Sequence, residues 1–257
     1  MSFTTTLRSL ILTIVAPNPR QIVIAPPDNL VGQVVLVTGA AGQIGQTLVK
    51  QFLALGARVI AVDLDQAKLD KTFTSHPQLL CLQADIQKEA DVQAVVSAGL
   101  KKFGQVDVLI NNAGIFLLDK NLETLSVSEF EAIMNVNVKG MFLFCKALLP
   151  SMKKRHHGLI INIGSKISHN TNVTGKKVMY ATTKYAVEGF SQALQSELFG
   201  TGIRVTCLMS ATVSTFQSLQ SKKYLETAEI ASVIAHIIAH PHISYEHLLI
   251  QSVDQRL

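Results

Sequence analysis

Tyr180 and Lys184, in the stretch YATTK (180–184), place a phenol and an ammonium four residues apart. On a helix that spacing puts both side chains on one face, so the two can reach the same reactant. A nearby ammonium favours phenolate over phenol and pulls a tyrosine down from its ordinary value of about 10 toward neutral pH. A tyrosine tuned in this way can take the proton of an alcohol hydroxyl while a hydride leaves the carbon for a nicotinamide. The motif is short enough to arise by chance, and two residues on a plain helix surface would look the same. The elements that position the pair therefore have to decide its meaning.

Those elements alternate. VVLV (34–37), RVIAVD (58–63), LLCLQAD (79–85), VDVLINNAG (106–114), LIINIGS (159–165), IRVTCLMS (203–210) and EHLLIQ (246–251) are apolar, mostly β-branched runs of strand length. Helical apolar spacing fills 44–56, 91–104, 126–153, the segment from Tyr180 to about Phe199, and 227–240. Strands separated by helices of ten or more residues need βαβ crossovers, which predicts an α/β fold with a doubly wound parallel sheet of about seven strands and helices on both faces. One domain is expected over residues 31–257, preceded by an extension of residues 1–30.

Between the first strand and the first helix lies TGAAGQIG (38–45), the place where a dinucleotide pyrophosphate binds in such sheets. Glycines let the backbone turn tightly against phosphate, and the helix start supplies N–H groups and positive dipole. Asp63 closes the second strand, 18 residues beyond Gly45, where a carboxylate can accept both ribose hydroxyls. It would repel a 2′-phosphate, and no arginine follows it directly, so NAD(H) is favoured over NADP(H). The structural alternative is that Asp63 merely caps the next helix. Ligands sit outside the carboxyl ends of the strands, so Asp85 and NNAG (111–114) should line the same crevice.

With TGAAGQIG, Asp63, ADI (84–86), NNAG, NVNVKG (135–140), INIGS (161–165) and YATTK in this order, the chain resembles the classical short-chain dehydrogenase/reductase family over about residues 32–252. The resemblance implies a single Rossmann domain, commonly assembled as a homodimer or homotetramer. It implies Tyr180 as general acid/base and Lys184 as the residue that tunes it and holds the nicotinamide ribose. Ser165 is implied as the hydroxyl that hydrogen-bonds the substrate oxygen, and Asn137 as support for a water relay to the lysine. Cofactor contacts are implied for Gly39, Gly42, Gln43, Ile44, Gly45, Asp63, Asp85, Ile86, Asn112, Ala113, Gly114, Val213 and Thr215, besides Tyr180 and Lys184. There are departures. Gln43 gives a glycine spacing similar to the extended branch of the family, which includes epimerases and dehydratases that do not consume their NAD. Ser210-Ala211 replaces the usual Pro-Gly, and the stretch from Thr215 to the helix near 227 is short for a substrate lid. A cofactor-binding regulator without catalysis is the non-enzyme alternative.

Composition sets limits on partners. A formal charge of +5 with 48% hydrophobic residues suits a domain with a large core and gives no reason to expect nucleic acid. Lys153, Lys154 and Arg155 read as the solvated end of a helix. Cys81, Cys145 and Cys207 are widely spaced and match neither a disulfide framework nor a zinc site, which suits a reducing cytoplasm. His236 and His240 have an i, i+4 spacing but no acidic or thiol partner nearby, so they are expected at a helix end rather than on a metal. In the extension, LRSLILTIVA (7–16) is too short to cross a bilayer. It is expected to pack on the domain or on a partner subunit, with membrane-surface contact as the alternative.

Overall fold

The computed structural model describes residues 12–15 (backbone only), 27, 29–116, 120–169, 177–213 and 224–251. Eight strands form one sheet among these residues: β1 Leu12–Val15, β2 Val34–Thr38, β3 Arg58–Asp63, β4 Leu79–Gln83, β5 Val108–Asn111, β6 Gly158–Ile163, β7 Ile203–Ser210 and β8 His247–Gln251. Their order is β1-β8-β7-β6-β5-β2-β3-β4, and every pairing is parallel. The chain moves outward from β2 through β3 to β4, then returns to β5 on the other side of β2. A crevice must open at that reversal, above the carboxyl ends of β2 and β5.

Helices cover both faces: α1 Gln43–Ala54 and α7 Thr227–Ala239 on one, α3 Glu89–Phe103, α5 Gly140–Arg155 and α6 Val178–Glu197 on the other. β2 shows why its residues must all be apolar. Val35 and Val37 face Leu48 and Phe52 of α1 and the isoleucines of α7, while Val34 and Leu36 face Val96, Phe144 and Leu148. Successive side chains of a strand point to opposite faces, so a strand covered on both has no solvent side.

The seven expected strands are present, six of them within a residue or two of their anticipated bounds, while VDVLINNAG (106–114) supplies only Val108–Asn111, and the extension contributes an eighth. β1 pairs with β8 from Leu12↔Leu248 to Val15↔Gln251. Two helices depart from the sequence reading. Residues 66–72 form α2, which has a single buried position, Leu69, and so no periodicity to reveal it. The helix expected over 126–153 is α4 Val127–Met134 and α5 joined by a π-helical turn, Asn135–Lys139. By length and composition alone residues 127–155 could cross a bilayer, but here they pack in the domain through Ile133, Phe144, Leu148 and Met152. The basic end of α5 is not wholly solvated either. Arg155 donates to Asp107 Oδ1 at 2.7 Å, and Asp107 is buried.

Candidate active site

The glycine turn is built so that side chains cannot fit. Gly39 has φ +65, and a Cβ there would lie 2.8 Å from Ala113 Cα. A Cβ on Gly45 would lie 2.2 Å from the Gly39 carbonyl oxygen. Thr38 ties this turn to the loop after β5: its Oγ1 accepts from Asn112 N and Ala113 N, both at 3.1 Å. Asn112 Nδ2 returns the connection, donating to Thr38 O at 2.9 Å and Gly39 O at 3.2 Å. Helix α1 then starts at Gln43 with Gly42 at its cap, no side-chain cap and no acidic residue in its first turn. The positive end of that helix is left uncompensated, which fits an anionic pyrophosphate.

Asp63 does not cap α2. That role belongs to Asp65, whose side chain accepts from Lys68 N. Asp63 Oδ2 instead accepts from Ala41 N in the glycine turn at 2.8 Å, and Oδ1 accepts from Asp65 N at 3.3 Å. The carboxylate thus stands at the turn, within reach of whatever the turn holds. Asp85 is engaged with its own loop, accepting from Gln87 N at 3.1 Å and pairing with Lys88 at 3.4 Å. Ile86 packs on Gly140, where an added Cβ would meet its Cδ1 at 2.6 Å.

Asn137 sits inside the π-helical turn and is buried. Its Nδ2 donates to Ile115 O at 3.0 Å and to Thr183 Oγ1 at 3.1 Å, and its Oδ1 accepts from Ile115 N at 2.8 Å. One side chain therefore fixes the loop after NNAG to helix α6. Wide helical turns of this kind recur at functional sites, because they redirect one side chain out of the regular ladder.

Helix α6 carries Tyr180 and Lys184 one turn apart. Lys184 is buried, its Nζ donates to Ile163 O at 2.8 Å and lies 5.7 Å from the centre of the Tyr180 ring. Burial lowers Lys184 to about 8, which leaves it mostly charged at pH 7. Burial raises the Tyr180 phenol above its ordinary value, and Ser165, which favours the phenolate, offsets only part of that rise. This direction is opposite to the depression expected from the Lys184 ammonium alone. Spacing along a helix says nothing about how much water a phenol has lost.

The structure thus brings Ser165, Tyr180, Lys184 and Asn137 together beside the glycine turn and Asp63. Val213 lies in an isolated bridge with Leu225, and Thr215 falls outside the described residues. Sequence reasoning missed Thr38, Thr183 and Phe116, whose ring meets that of Tyr180 edge-on at 4.6 Å. Position just before Gly39 was the available signal for Thr38. Nothing in the sequence marked the other two.

The family described as short chain dehydrogenase matches this sequence over residues 33–224. The chain belongs to that family. It is an NAD(P)-dependent oxidoreductase acting on CH–OH groups, and its fold is the Rossmann type expected. It is 36% identical to 2-(R)-hydroxypropyl-CoM dehydrogenase of Xanthobacter autotrophicus, over 71% of this chain and 75% of the relative. To D-threitol dehydrogenase of Mycolicibacterium smegmatis it is 34% identical, over 73% of this chain and 72% of the other. The crystal structure of 3-ketoacyl-(acyl-carrier-protein) reductase from Brucella melitensis complexed with NADH superposes with a TM-score of 0.80 at 31% identity. That match covers 88% of this short-chain dehydrogenase and 99% of the reductase.

Proposed function

We propose that this short-chain dehydrogenase interconverts a secondary alcohol and a ketone, or a primary alcohol and an aldehyde, with Tyr180 as general acid/base and with NAD(H) preferred to NADP(H). The observation that carries this reading is that Tyr180 and Lys184 lie one turn apart on α6, with the Lys184 Nζ 5.7 Å from the centre of the tyrosine ring. A bound nicotinamide supplies the hydride in reduction and accepts it in oxidation. Gly39, Gly42, Gln43, Ile44 and Gly45 would hold the pyrophosphate, and Asp63 the adenosine ribose. Asp85, Ile86, Asn112, Ala113 and Gly114 would line the adenosine side. Lys184, Val213 and Thr215 would line the nicotinamide half.

The side chains then have separable tasks. A raised phenol keeps its proton at neutral pH, the state required to protonate a carbonyl oxygen during reduction. Oxidation needs the deprotonated form, so its rate should climb with pH. Ser165 Oγ, which also accepts from Ile167 N at 3.3 Å, is fixed where it can orient the substrate oxygen. Asp63 supports the preference for NAD(H): a carboxylate suits a ribose diol and repels a phosphate ester. We place the protein in the cytoplasm as a homodimer or homotetramer. Exposed Phe130, Phe142 and Tyr185 on α4, α5 and α6 support a face between copies.

The test is a screen of alcohols and carbonyls with both cofactors, followed by two variants. Tyr180→Phe should bind NADH nearly as the wild type does while turnover falls by about 10²-fold or more. Lys184→Met should weaken NADH binding as well. Wild-type turnover by Tyr180→Phe would refute the catalytic assignment, tighter NADPH than NADH binding would refute the cofactor preference, and turnover without net NADH change would indicate an epimerase or dehydratase.

A further inference from the structure

Phe116 is the aromatic residue whose contact the chemistry above does not use. It stands two residues past the NNAG loop, and its ring meets the Tyr180 ring at 4.6 Å between centres and 87° between planes. Tyr180 itself is partly buried, yet Phe116 remains 40% exposed and its neighbour Ile115 37% exposed. The loop that carries them is not slack. Ile115 is held through both its N–H and its carbonyl by the buried Asn137. An exposed aromatic ring on a rigid segment, touching the residue that would transfer the proton, is apolar surface waiting to be covered.

We propose that Phe116 is the specificity-determining wall of the substrate site, selecting alcohols and ketones whose reacting carbon bears a bulky apolar substituent, aromatic best of all. This rests on Tyr180 being the acid/base. A substrate whose oxygen lies at Tyr180 and Ser165 has its reacting carbon one bond away, so a substituent on that carbon falls beside whatever flanks the tyrosine ring. A ring placed on Phe116 gains offset or edge-to-face contact and covers its exposed surface. A methyl group at the same place covers little. The same wall keeps water from the phenol and contributes to the burial that holds Tyr180 in its neutral form.

The experiment compares kcat/KM for 1-phenylethanol and propan-2-ol in wild type, Phe116→Ala and Phe116→Leu, with whichever of NAD+ or NADP+ the protein turns over. The wild type should prefer 1-phenylethanol by about tenfold or more, the scale on which apolar pockets discriminate. Phe116→Ala should lose most of that preference through KM. Its rate for oxidation should begin to rise at lower pH, since water then reaches Tyr180. Phe116→Leu should restore part of the preference, and NADH binding should be unchanged in both variants. The proposal is overturned if the wild type shows no preference or oxidises neither alcohol, if Phe116→Ala slows both alike, or if that variant loses NADH binding. Tyr180→Phe, run in parallel, separates the two claims: wild-type turnover there removes the catalytic reading itself, whereas an inactive Tyr180→Phe beside an unselective Phe116 removes only the wall.

Discussion

Replacing Gly45 by alanine tests how the glycine turn is built. The new methyl carbon would lie 2.2 Å from the Gly39 carbonyl oxygen, 2.7 Å from Ala40 Cα and 2.9 Å from Gly39 C. Carbon atoms in contact settle at about 3.5–4.0 Å, so the methyl is roughly an ångström too close to the backbone of Gly39 and Ala40. Flexible side chains could yield to it, but these atoms belong to the main chain of the turn, and either they or α1 must move. Overpacking costs about 1–3 kcal/mol, and a rigid backbone neighbour puts this site at the upper end. Alanine recovers about 1 kcal/mol as a better helix former than glycine. The net is a loss of about 2 kcal/mol, or about 4–8 °C in Tm for a chain of this size. NADH binding should weaken by at least about tenfold, because the displaced atoms frame the helix start. Gly189→Ala is the control with the opposite sign. That glycine lies inside α6 with nothing within 4 Å of an added Cβ, so helix propensity alone should raise Tm by a few degrees. Differential scanning fluorimetry and NADH titration read both. A Gly45→Ala protein that melts no lower than wild type and binds NADH normally would refute the steric argument.

Two further perturbations act away from the chemistry. Asp107 Oδ1 accepts from Arg155, and Oδ2 accepts from Val34 N at 2.9 Å and Gln105 Nε2 at 3.0 Å, all at a buried position. Asp107→Ala leaves the buried Val34 N–H without its acceptor and removes the partner of Arg155, which keeps its bond to the Val106 carbonyl, so urea unfolding should show a loss of about 1–3 kcal/mol, with Asp107→Asn recovering part of it. His236 is held below its ordinary value by burial and by the neighbouring His240 ring, 4.0 Å away, and it also contacts the Tyr245 hydroxyl at 3.2 Å. Its lowered value means that the folded protein binds fewer protons than the unfolded chain just below pH 6.5. Stability should therefore be full above about pH 6.5 and fall as pH drops through that window. Tm measured across the range should show this decline, and His236→Gln should flatten it.

The legible parts of this molecule were those written as local pattern. A strand buried on both faces must be continuously apolar, which is why RVIAVD and IRVTCLMS gave their bounds to the residue. The glycine turn was legible because position after such a strand narrows what glycines are for. Asp63 was read correctly at the level of place but not of bonding: its hold on Ala41 N crosses from the end of β3 to the turn before α1, and no spacing encodes that. The Tyr180 proton was misread because burial is a sum over neighbours from distant segments, Phe116 among them. The π-helical turn escaped for a related reason. Asn137 within it bonds to residues 115 and 183, which are distant in sequence, while the local sequence reads as uninterrupted helix.

The pairing of β1 with β8 joins residue 12 to residue 248, so the first strand among the described residues completes the sheet beside the last. Contacts this distant in sequence form only after the intervening chain is in place, which makes docking of β1 a late event in folding and during synthesis. The direction of the pairing adds a mechanical consequence. In parallel strands, a pull applied upstream of β1 and downstream of β8 draws the two past one another along their length. Every hydrogen bond between them is then loaded together, instead of one at a time as in an unzipping hairpin. The edge strand joined last is thus fastened in the geometry that resists tension best.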